Sequence, residues 1–328
     1  MNKRCEHIDI ARGIAIILVV LGHCCFSCSD DVNRVILSFH MPLFFFISGA
    51  LAKKCEPNNL YGTIMHKAKT ILLPQLLLAV TILIRRGVPH FLSGKSFVDF
   101  NFLNGITYWF LPTLFACSVI HILLYSRINM EKKVVAGCVI LFTLCIIFVT
   151  LGVFEIPNYG LAKFLKLVPV AYLFYMLGFI FKKHTLSINE TQNSLHGLIL
   201  LLMFPILVCV SQLNTPVKMY LSEYGIFPLF VFSSIIGIII VITCSKQIMG
   251  GGAILKEFGR MSIALYVWNF LVIGCVKNLL IILTKELDIK INNICLVTLF
   301  FLFSLIILYC ISKYSLRYFP MLYGQKKN

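Results

Sequence analysis

Charged residues are scarce in this sequence, and their scarcity excludes a water-soluble fold. Of the 328 residues, 13% are charged and 59% are hydrophobic, and the mean hydropathy is +0.92. A typical soluble domain has about 25% charged residues. The sequence also has no polar linker, low-complexity tract or internal repeat, so it is predicted to form a single domain over residues 1–328.

Acidic residues are the scarcer kind of charge. The chain has 13 Asp and Glu against 29 Lys and Arg, which gives a net charge of +16. The basic residues lie in small clusters between apolar segments rather than in one patch. This distribution is typical of membrane topology signals, and no nucleic-acid partner is predicted.

The sequence has no framework of disulfide-forming cysteines. Most of the 13 cysteines lie inside apolar segments, where cysteine behaves as a small hydrophobic residue. Cys24, Cys25 and Cys28 cluster beside His23. A metal or redox site is one interpretation of this cluster, but we interpret it as helix filling and predict no metal site.

Long apolar segments recur from Ile8 almost to the C-terminus, and several exceed the roughly 20 residues needed to cross a bilayer. They are too long and too uniformly apolar for the strands of a membrane barrel. The sequence therefore predicts an all-α fold, a polytopic integral membrane bundle of about ten transmembrane helices. The predicted spans are residues 8–28, 35–53, 68–84, 108–126, 134–153, 164–182, 195–213, 224–245, 261–283 and 291–312.

Lys and Arg residues are distributed unevenly between alternate loops. The set of loops that includes both termini holds roughly twice as many as the opposite set, to which Arg34 and Arg85 belong. Both termini are therefore predicted to be cytoplasmic. Lys3 and Arg4 precede an apolar segment as in a signal peptide, but CCFSCSDD has no small-x-small cleavage site, so we expect the first helix to remain.

Three ionisable residues, Asp9, Arg12 and His23, lie in or beside the first span. Such residues inside a membrane cost free energy and are functional candidates by default. Helical geometry places Arg12 and His23 within about 20° of one face and about 16 Å apart along the axis, and Asp9 on the same stripe can pair with Arg12. The alternative is that Arg12 reaches the interface and pairs with Asp9, while His23 is a satisfied interior histidine.

The second span opens with SFHMPLFFFISGAL, which places His40 and Pro42 at its outer end, where the first turn of a helix tolerates proline. His40 is then expected at about the depth of His23. Because the connection is short, the first two helices should pack antiparallel and bring the two histidines together. One histidine would be a general base and the other would orient it or relay its proton.

These segments resemble a known family. The stretch from Asp9 to His23, followed by FHMPLFFFISG, closely resembles the acyltransferase family 3 membrane proteins, especially the fucose 4-O-acetylase-like branch. YWFLPTLF, at residues 108–115, is similar to an aromatic element of that family, and KAKTILLPQ, at residues 67–75, is similar to its basic, proline-containing entry into the third helix. FGRMSIALYVWNF resembles a late element that often ends in histidine, where this chain has Asn269.

The resemblance implies a membrane-bound O-acyltransferase in the inner (cytoplasmic) membrane of a bacterium. It would move an acyl group, commonly acetyl, from cytoplasmic acyl-coenzyme A to a hydroxyl of a cell-surface or lipid-linked carbohydrate, without a permanently bound cofactor. The implied partners are acyl-coenzyme A, the carbohydrate acceptor and the lipid bilayer. Asp9, Arg12, His23 and His40 match the family's residues. We interpret His23 and His40 as catalytic residues, Arg12, Asp9, Lys67 and Lys69 as binding the donor, and Trp109 and Asn269 as binding the substrate.

Other interpretations stay open at this point. Trp109 is either a stacking platform for a sugar ring or a residue of the aromatic belt at the membrane interface. A transporter or flippase for a lipid-linked sugar would use Arg12, His23 and His40 as a substrate or proton pathway. A catalytically inactive relative that binds a partner is a third possibility, for which Asn269 is the only indication.

Overall fold

The computed structural model describes residues 5–24, 30–53, 59–87, 109–127, 160–187, 193–286 and 293–324, together with residue 137. The predicted span 134–153, apart from residue 137, lies outside these residues, as do Lys3, Arg4, Cys25 and Cys28. The described helices are α1 (Glu6–Cys24), α2 (Asp30–Ala50), α3 (Leu60–Ile82), α4 (Phe110–Arg127), α5 (Gly160–Ile180), α6 (Lys182–Leu186), α7 (Asn193–Leu213), α8 (Phe227–Gln247), α9 (Ala253–Arg260), α10 (Ser262–Glu286) and α11 (Asn293–Tyr318).

Helices dominate every described part of the chain. A single bridge between Lys218 and Glu223 is the one extended pairing among the described residues. Six described helices, α1, α2, α3, α8, α10 and α11, are long and apolar enough to cross a membrane, and α4, α5 and α7 contain shorter apolar helices. The all-helical membrane class is therefore confirmed, whereas the total of about ten spans and the cytoplasmic termini stay predictions.

Helix α1 lies at the centre of the bundle. It packs against α2, α8, α9, α10 and α11. Helix α2 packs in turn against α5 and α8, and α3 packs against α4 and α10. Among the described residues, α1 and α3 make few or no close backbone contacts with each other.

Two glycines allow α1 and α9 to cross in close contact. A Cβ atom on Gly13 would lie 2.0 Å from the Leu255 carbonyl oxygen, and one on Gly259 would lie 1.7 Å from the Asp9 carbonyl oxygen. Real atoms do not approach so closely, so both positions require glycine. Small residues are the usual means of close helix packing in membranes, and here they fix α9 beside the first turns of α1.

Candidate active site

Helix α1 carries Asp9, Arg12 and His23 along its length. Asp9 is buried, Arg12 is half-buried, and His23 in the last turn is exposed. The Asp9 carboxylate forms an ion pair with Arg260 of α9, with 3.4 Å between Oδ2 and Nε. The spacing in the sequence predicts Arg12 as a partner of Asp9 but gives no sign of Arg260, because the approach of α9 to α1 is not visible in the sequence.

Basic side chains from several elements converge near Arg12, and we refer to this end of the bundle as the Arg12 end. Lys67 of α3 lies close enough to Arg12 and Lys53 for their charges to act on it. The Lys182 ammonium donates a hydrogen bond to the Ala52 carbonyl. Burial, together with the charge of Lys53, lowers the pKa of Lys182. Crowded cations repel one another, so this end is suited to an anion.

Lys67 and Lys69 point in different directions. Two residues of helix correspond to about 200°, so the two side chains lie on nearly opposite sides of α3. Lys67 is half-buried, whereas Lys69 is exposed. The backbone of Lys69 lies instead beside Gly324, near the C-terminal end of the described chain. Of this pair, Lys67 is the one that the structure places near Arg12.

At the other end of α1, which we call the His23 end, two histidines and an arginine meet. His40 of α2 lies close enough to His23 for the two rings to interact electrostatically. Arg85, directly after α3, lies within similar range of His23. Helix α3 therefore runs in the same direction as α1. Lys67, in its first half, lies toward the Arg12 end, and Arg85, just after the helix, lies at the His23 end.

The His40 side chain is held in one orientation. Its ring is buried, and Nδ1 donates a hydrogen bond to the Ile36 carbonyl with a length of 2.7 Å. A carbonyl oxygen only accepts, so the Nδ1 atom carries the proton. In the neutral ring the Nε2 atom then carries a lone pair and is available as a proton acceptor.

Pro42 lies inside α2, which corrects an expectation from the sequence. Helix α2 begins at Asp30 rather than near residue 35, so His40 and Pro42 lie near its middle and not in its first turn. Proline has no N–H, so the Ser38 carbonyl loses its usual helical donor. The Ser234 hydroxyl of α8 donates to that carbonyl instead, over 2.6 Å. A contact from α8 thus supports the segment that carries His40.

Arg85 was missed by sequence analysis, which counted it as a loop charge. It lies in a π-helical turn, Leu83–Gly87, that continues α3. Its Nη1 donates to the Phe270 carbonyl over 3.0 Å, and the guanidinium lies 4.0 Å from the centre of the Phe270 ring. One signal was available, since Lys67 and Arg85 are separated by about five helical turns and share one face of a regular helix.

Trp109 lies among aromatic rings within the bundle, directly before α4. Its ring centre is 6.4 Å from that of Phe45 and 5.9 Å from that of Phe110, and Phe110 lies 5.3 Å from Tyr266. Phe45 follows His40 along α2 in the direction of the Arg12 end. The aromatic cluster therefore includes a residue of the helix that carries His40.

Two buried amide side chains have unused hydrogen-bonding capacity. Asn269 of α10 is 4% exposed, and its Oδ1 accepts no hydrogen bond from the described residues. Neither amide atom of Gln75 in α3 has a described partner, although the residue is buried. Buried polar groups are normally paired, so both are candidates to bind a ligand. Sequence analysis named Asn269 but not Gln75.

The described residues offer two kinds of chemistry in one membrane bundle. The Arg12 end is suited to a multiply charged anion, and the His23 end combines a proton acceptor with a guanidinium. No group of three or more His, Cys, Asp or Glu among the described residues is placed to hold a metal ion. These features define a multi-pass membrane protein with an internal polar site.

Comparison with known proteins identifies the family. The model of a family described as an acyltransferase domain, acyltransferase family 3, matches residues 6–313. The chain belongs to this family, which confirms the resemblance found in the sequence. The chain is also similar to the nodulation protein NolL of Sinorhizobium fredii, with 30% identity over 224 residues. This match covers 62% of the chain and 55% of NolL, so the chain spans about half the length of that relative. No solved structure gives a significant match.

Proposed function

We propose that the protein is a membrane-bound O-acyltransferase that moves an acyl group, most simply acetyl, from cytoplasmic acyl-coenzyme A to a hydroxyl of a cell-surface or lipid-linked carbohydrate. One observation carries this proposal beyond family membership. A cluster of cations and a pair of histidines lie at opposite ends of α1, and α1 is central to the bundle.

The Arg12 end would bind the phosphates of coenzyme A. Guanidinium and ammonium groups are the usual protein partners of phosphate. Arg12 and Lys67 would contact the ligand directly, Asp9 would fix α1 against α9 through Arg260, and Lys69 would add charge at the rim. Arg12 and His23 are separated by about 16 Å along α1, which is similar to an extended pantetheine arm.

The His23 end would perform the transfer. His23 accepts the proton of the acceptor hydroxyl, whose oxygen attacks the thioester carbonyl carbon. The tetrahedral intermediate collapses, the carbon–sulfur bond breaks, and the thiolate takes the proton from His23. His40, whose protonated Nδ1 is held by the Ile36 carbonyl, orients His23 or relays its proton. Trp109 and Asn269 contribute contacts to substrate, the latter through its Oδ1 atom, which accepts no hydrogen bond from the described residues.

The membrane location and orientation are part of the proposal. If both termini face the cytoplasm, the Arg12 end lies on the cytoplasmic side of the inner membrane and the His23 end on the outer side. The donor then enters where acyl-coenzyme A is available. The carbohydrate acceptor meets the thioester at the opposite face.

The first experiment compares membranes that contain the wild-type protein or His23→Ala. Radiolabelled acetyl-coenzyme A is supplied, and label in cell-surface and lipid-linked carbohydrate is measured. Label with wild type and at most about 1% of it with His23→Ala is expected, because a general base contributes on the order of 10²–10⁴-fold.

A matched control is His184→Ala. It removes an exposed histidine of α6, a helix that lies at the Arg12 end and not at the His23 end. It should leave labelling unchanged. Equal labelling by wild type and His23→Ala would refute the assignment of the base. Movement of an unmodified lipid-linked sugar without any labelling by the wild type would favour a transporter instead.

A further inference from the structure

Gln75 is a buried polar residue in an otherwise apolar part of α3. It is the single polar side chain between Ile71 and Val80. The residue is 9% exposed, and neither its Oε1 nor its Nε2 atom has a hydrogen-bonding partner among the described residues. A buried amide without partners costs free energy, and a polar group inside a membrane span is a functional candidate by default. Gln75 therefore offers both a hydrogen-bond donor and an acceptor to a ligand.

The Gln75 side chain lies between two apolar clusters of the bundle. Ile71, one turn earlier on α3, packs in the main core, and Leu78, one turn later, packs in a second cluster with Ala264 and Val267 of α10. Residues three and four apart are neighbours on one face of a helix, so Gln75 shares the buried face of Ile71 and Leu78. An apolar residue would suit these surroundings better than an amide, so packing alone does not explain Gln75.

Contacts with α10 give the depth of Gln75 in the bundle. The Thr81 hydroxyl donates to the Val267 carbonyl over 3.4 Å, and Arg85 donates to the Phe270 carbonyl over 3.0 Å. Helices α3 and α10 therefore run side by side in the same direction. Gln75 precedes Thr81 by about 9 Å along the axis, so it lies level with the beginning of α10. Helix α10 follows directly after α9, which packs against the first turns of α1, so Gln75 lies toward the end of the bundle that is proposed to bind the donor.

We propose that Gln75 is a further donor-binding residue, which forms hydrogen bonds with the amide groups of the pantetheine arm of acyl-coenzyme A. This inference rests on the proposed function. Gln75 lies about 12 Å along α3 beyond Lys67, which is proposed to contact the phosphates, so the arm passes Gln75 on its way to His23. Each amide of the arm has one N–H and one carbonyl oxygen, which match the acceptor and the donor of the Gln75 side chain. The carbohydrate acceptor is not the ligand of Gln75, because its hydroxyl reacts at the His23 end.

Isothermal titration on purified full-length protein in detergent tests the proposal with two probes. Coenzyme A carries the pantetheine arm, whereas adenosine 3′,5′-bisphosphate is the nucleotide part without the arm. Gln75→Leu should weaken the binding of coenzyme A about tenfold, because hydrogen bonds to the arm are lost, and should change the binding of adenosine bisphosphate by no more than about twofold. The KM for acetyl-coenzyme A should rise by a similar factor of about ten.

The stability of the variant separates a ligand-binding role from a structural one. Without ligand, the melting temperature of Gln75→Leu should equal or exceed that of wild type, because an apolar side chain removes the desolvation cost of a buried amide that has no described partner. Gln75→Met, which keeps the length of the side chain, should behave in the same way.

The matched control is Asn214→Leu, which removes a buried amide that has partners. The Asn214 Nδ2 atom donates to the Tyr224 carbonyl over 3.0 Å, and its Oδ1 atom accepts from the Ile226 N–H over 2.7 Å. Asn214→Leu should therefore lower the melting temperature and leave the binding of coenzyme A unchanged.

The outcomes separate this inference from the proposed function. If wild type transfers acetyl and Gln75→Leu binds coenzyme A as tightly as wild type does, the role of Gln75 is refuted while the function stands. Equal weakening of coenzyme A and adenosine bisphosphate binding, or a lower melting temperature of both Gln75 variants, also refutes it. If wild type transfers no acetyl to any carbohydrate acceptor, the proposed function itself fails, and the difference in coenzyme A binding still decides the role of Gln75.

Discussion

The two ends of α1 differ in the charge and in the fixed orientation of the side chains around them. At the Arg12 end, cations from α1, α3, α6 and the chain after α2 lie together, and burial, together with the charge of Lys53, lowers the pKa of Lys182. At the His23 end, the described residues place Arg85 with two imidazoles, and carbonyl groups hold both His40 and Arg85. An accumulation of charge suits binding, whereas fixed side-chain orientation suits a reaction. Donor affinity and turnover should therefore respond to different variants.

Among the variants that compare the two ends of α1, the largest effect is expected at His40. His40→Ala should lower kcat by about 100-fold, because it removes the ring whose Nε2 can accept a proton beside His23. Binding of acyl-coenzyme A, measured by isothermal titration on purified protein, should not change. A similar loss of acyl-coenzyme A binding would contradict the assignment of donor binding to the Arg12 end and of the reaction to the His23 end.

A smaller effect is expected at Lys67. Lys67→Ala should raise the KM for acyl-coenzyme A about fivefold to tenfold, which corresponds to roughly 1–1.4 kcal/mol, and leave kcat nearly unchanged. Lys69→Ala should have a weaker effect, since that side chain is exposed and points away from Lys67. Steady-state kinetics over a range of donor concentrations measures the KM of both variants. Equal increases in KM would contradict the conclusion that Lys67 points toward Arg12 and Lys69 points away from it.

Salt should also distinguish the ends. The Debye length shortens from about 10 Å at 0.1 M salt to about 3 Å at 1 M, so the KM for acyl-coenzyme A should rise a few-fold over this range. In Lys67→Ala the rise should be smaller. A kcat that falls with salt while KM stays constant would place the important charges at the reaction centre instead.

The smallest effect concerns Glu257 of α9, near the Arg12 end. Burial favours a higher pKa, but hydrogen bonds from Tyr309 and Lys313 outweigh it and lower the pKa of Glu257. A lowered carboxyl pKa contributes stability above the ordinary pKa and loses it as the pH falls through the folded value. At pH 7, Glu257→Gln should therefore cost a few tenths of a kcal/mol, because the ion pair is exposed.

Melting in detergent between about pH 7 and pH 3 measures this difference, which should shrink as the pH falls. A stability difference between wild type and Glu257→Gln that grows toward low pH would contradict the lowered pKa of Glu257. Acyl-coenzyme A binding by Glu257→Gln should match that of wild type, since the carboxylate pairs with Lys313 of α11 and not with the cations around Arg12.

The features that depend on composition and helical periodicity were predictable from the sequence. The length of the apolar segments predicted the membrane-spanning helices. A turn of about 100° per residue predicted that Arg12 and His23 lie on one face of the first helix, toward its two ends. The resemblance to acyltransferase family 3 rested on the same stretch and is confirmed by the match over residues 6–313.

Features that depend on contacts between distant segments were not predictable. The approach of α9 to α1, which gives Asp9 its partner Arg260, depends on two glycines far apart in sequence. The start of α2 was placed too late because Asp30 and Asn33 are polar, and apolar content alone defined the predicted span. Arg85 appeared as a loop charge because the apolar stretch of α3 ends before it, although a π-helical turn carries it onto α10.

Pro42 has a consequence for how the chain is assembled in a membrane. An isolated α2 would enter lipid with the Ser38 carbonyl short of its helical donor, at a cost of about 1–3 kcal/mol. The replacement donor, Ser234, is 196 residues further along the chain. During synthesis α2 therefore precedes its hydrogen-bonding partner by most of the length of the protein. The segment around His40 reaches its final arrangement only when α8 has been inserted and docked.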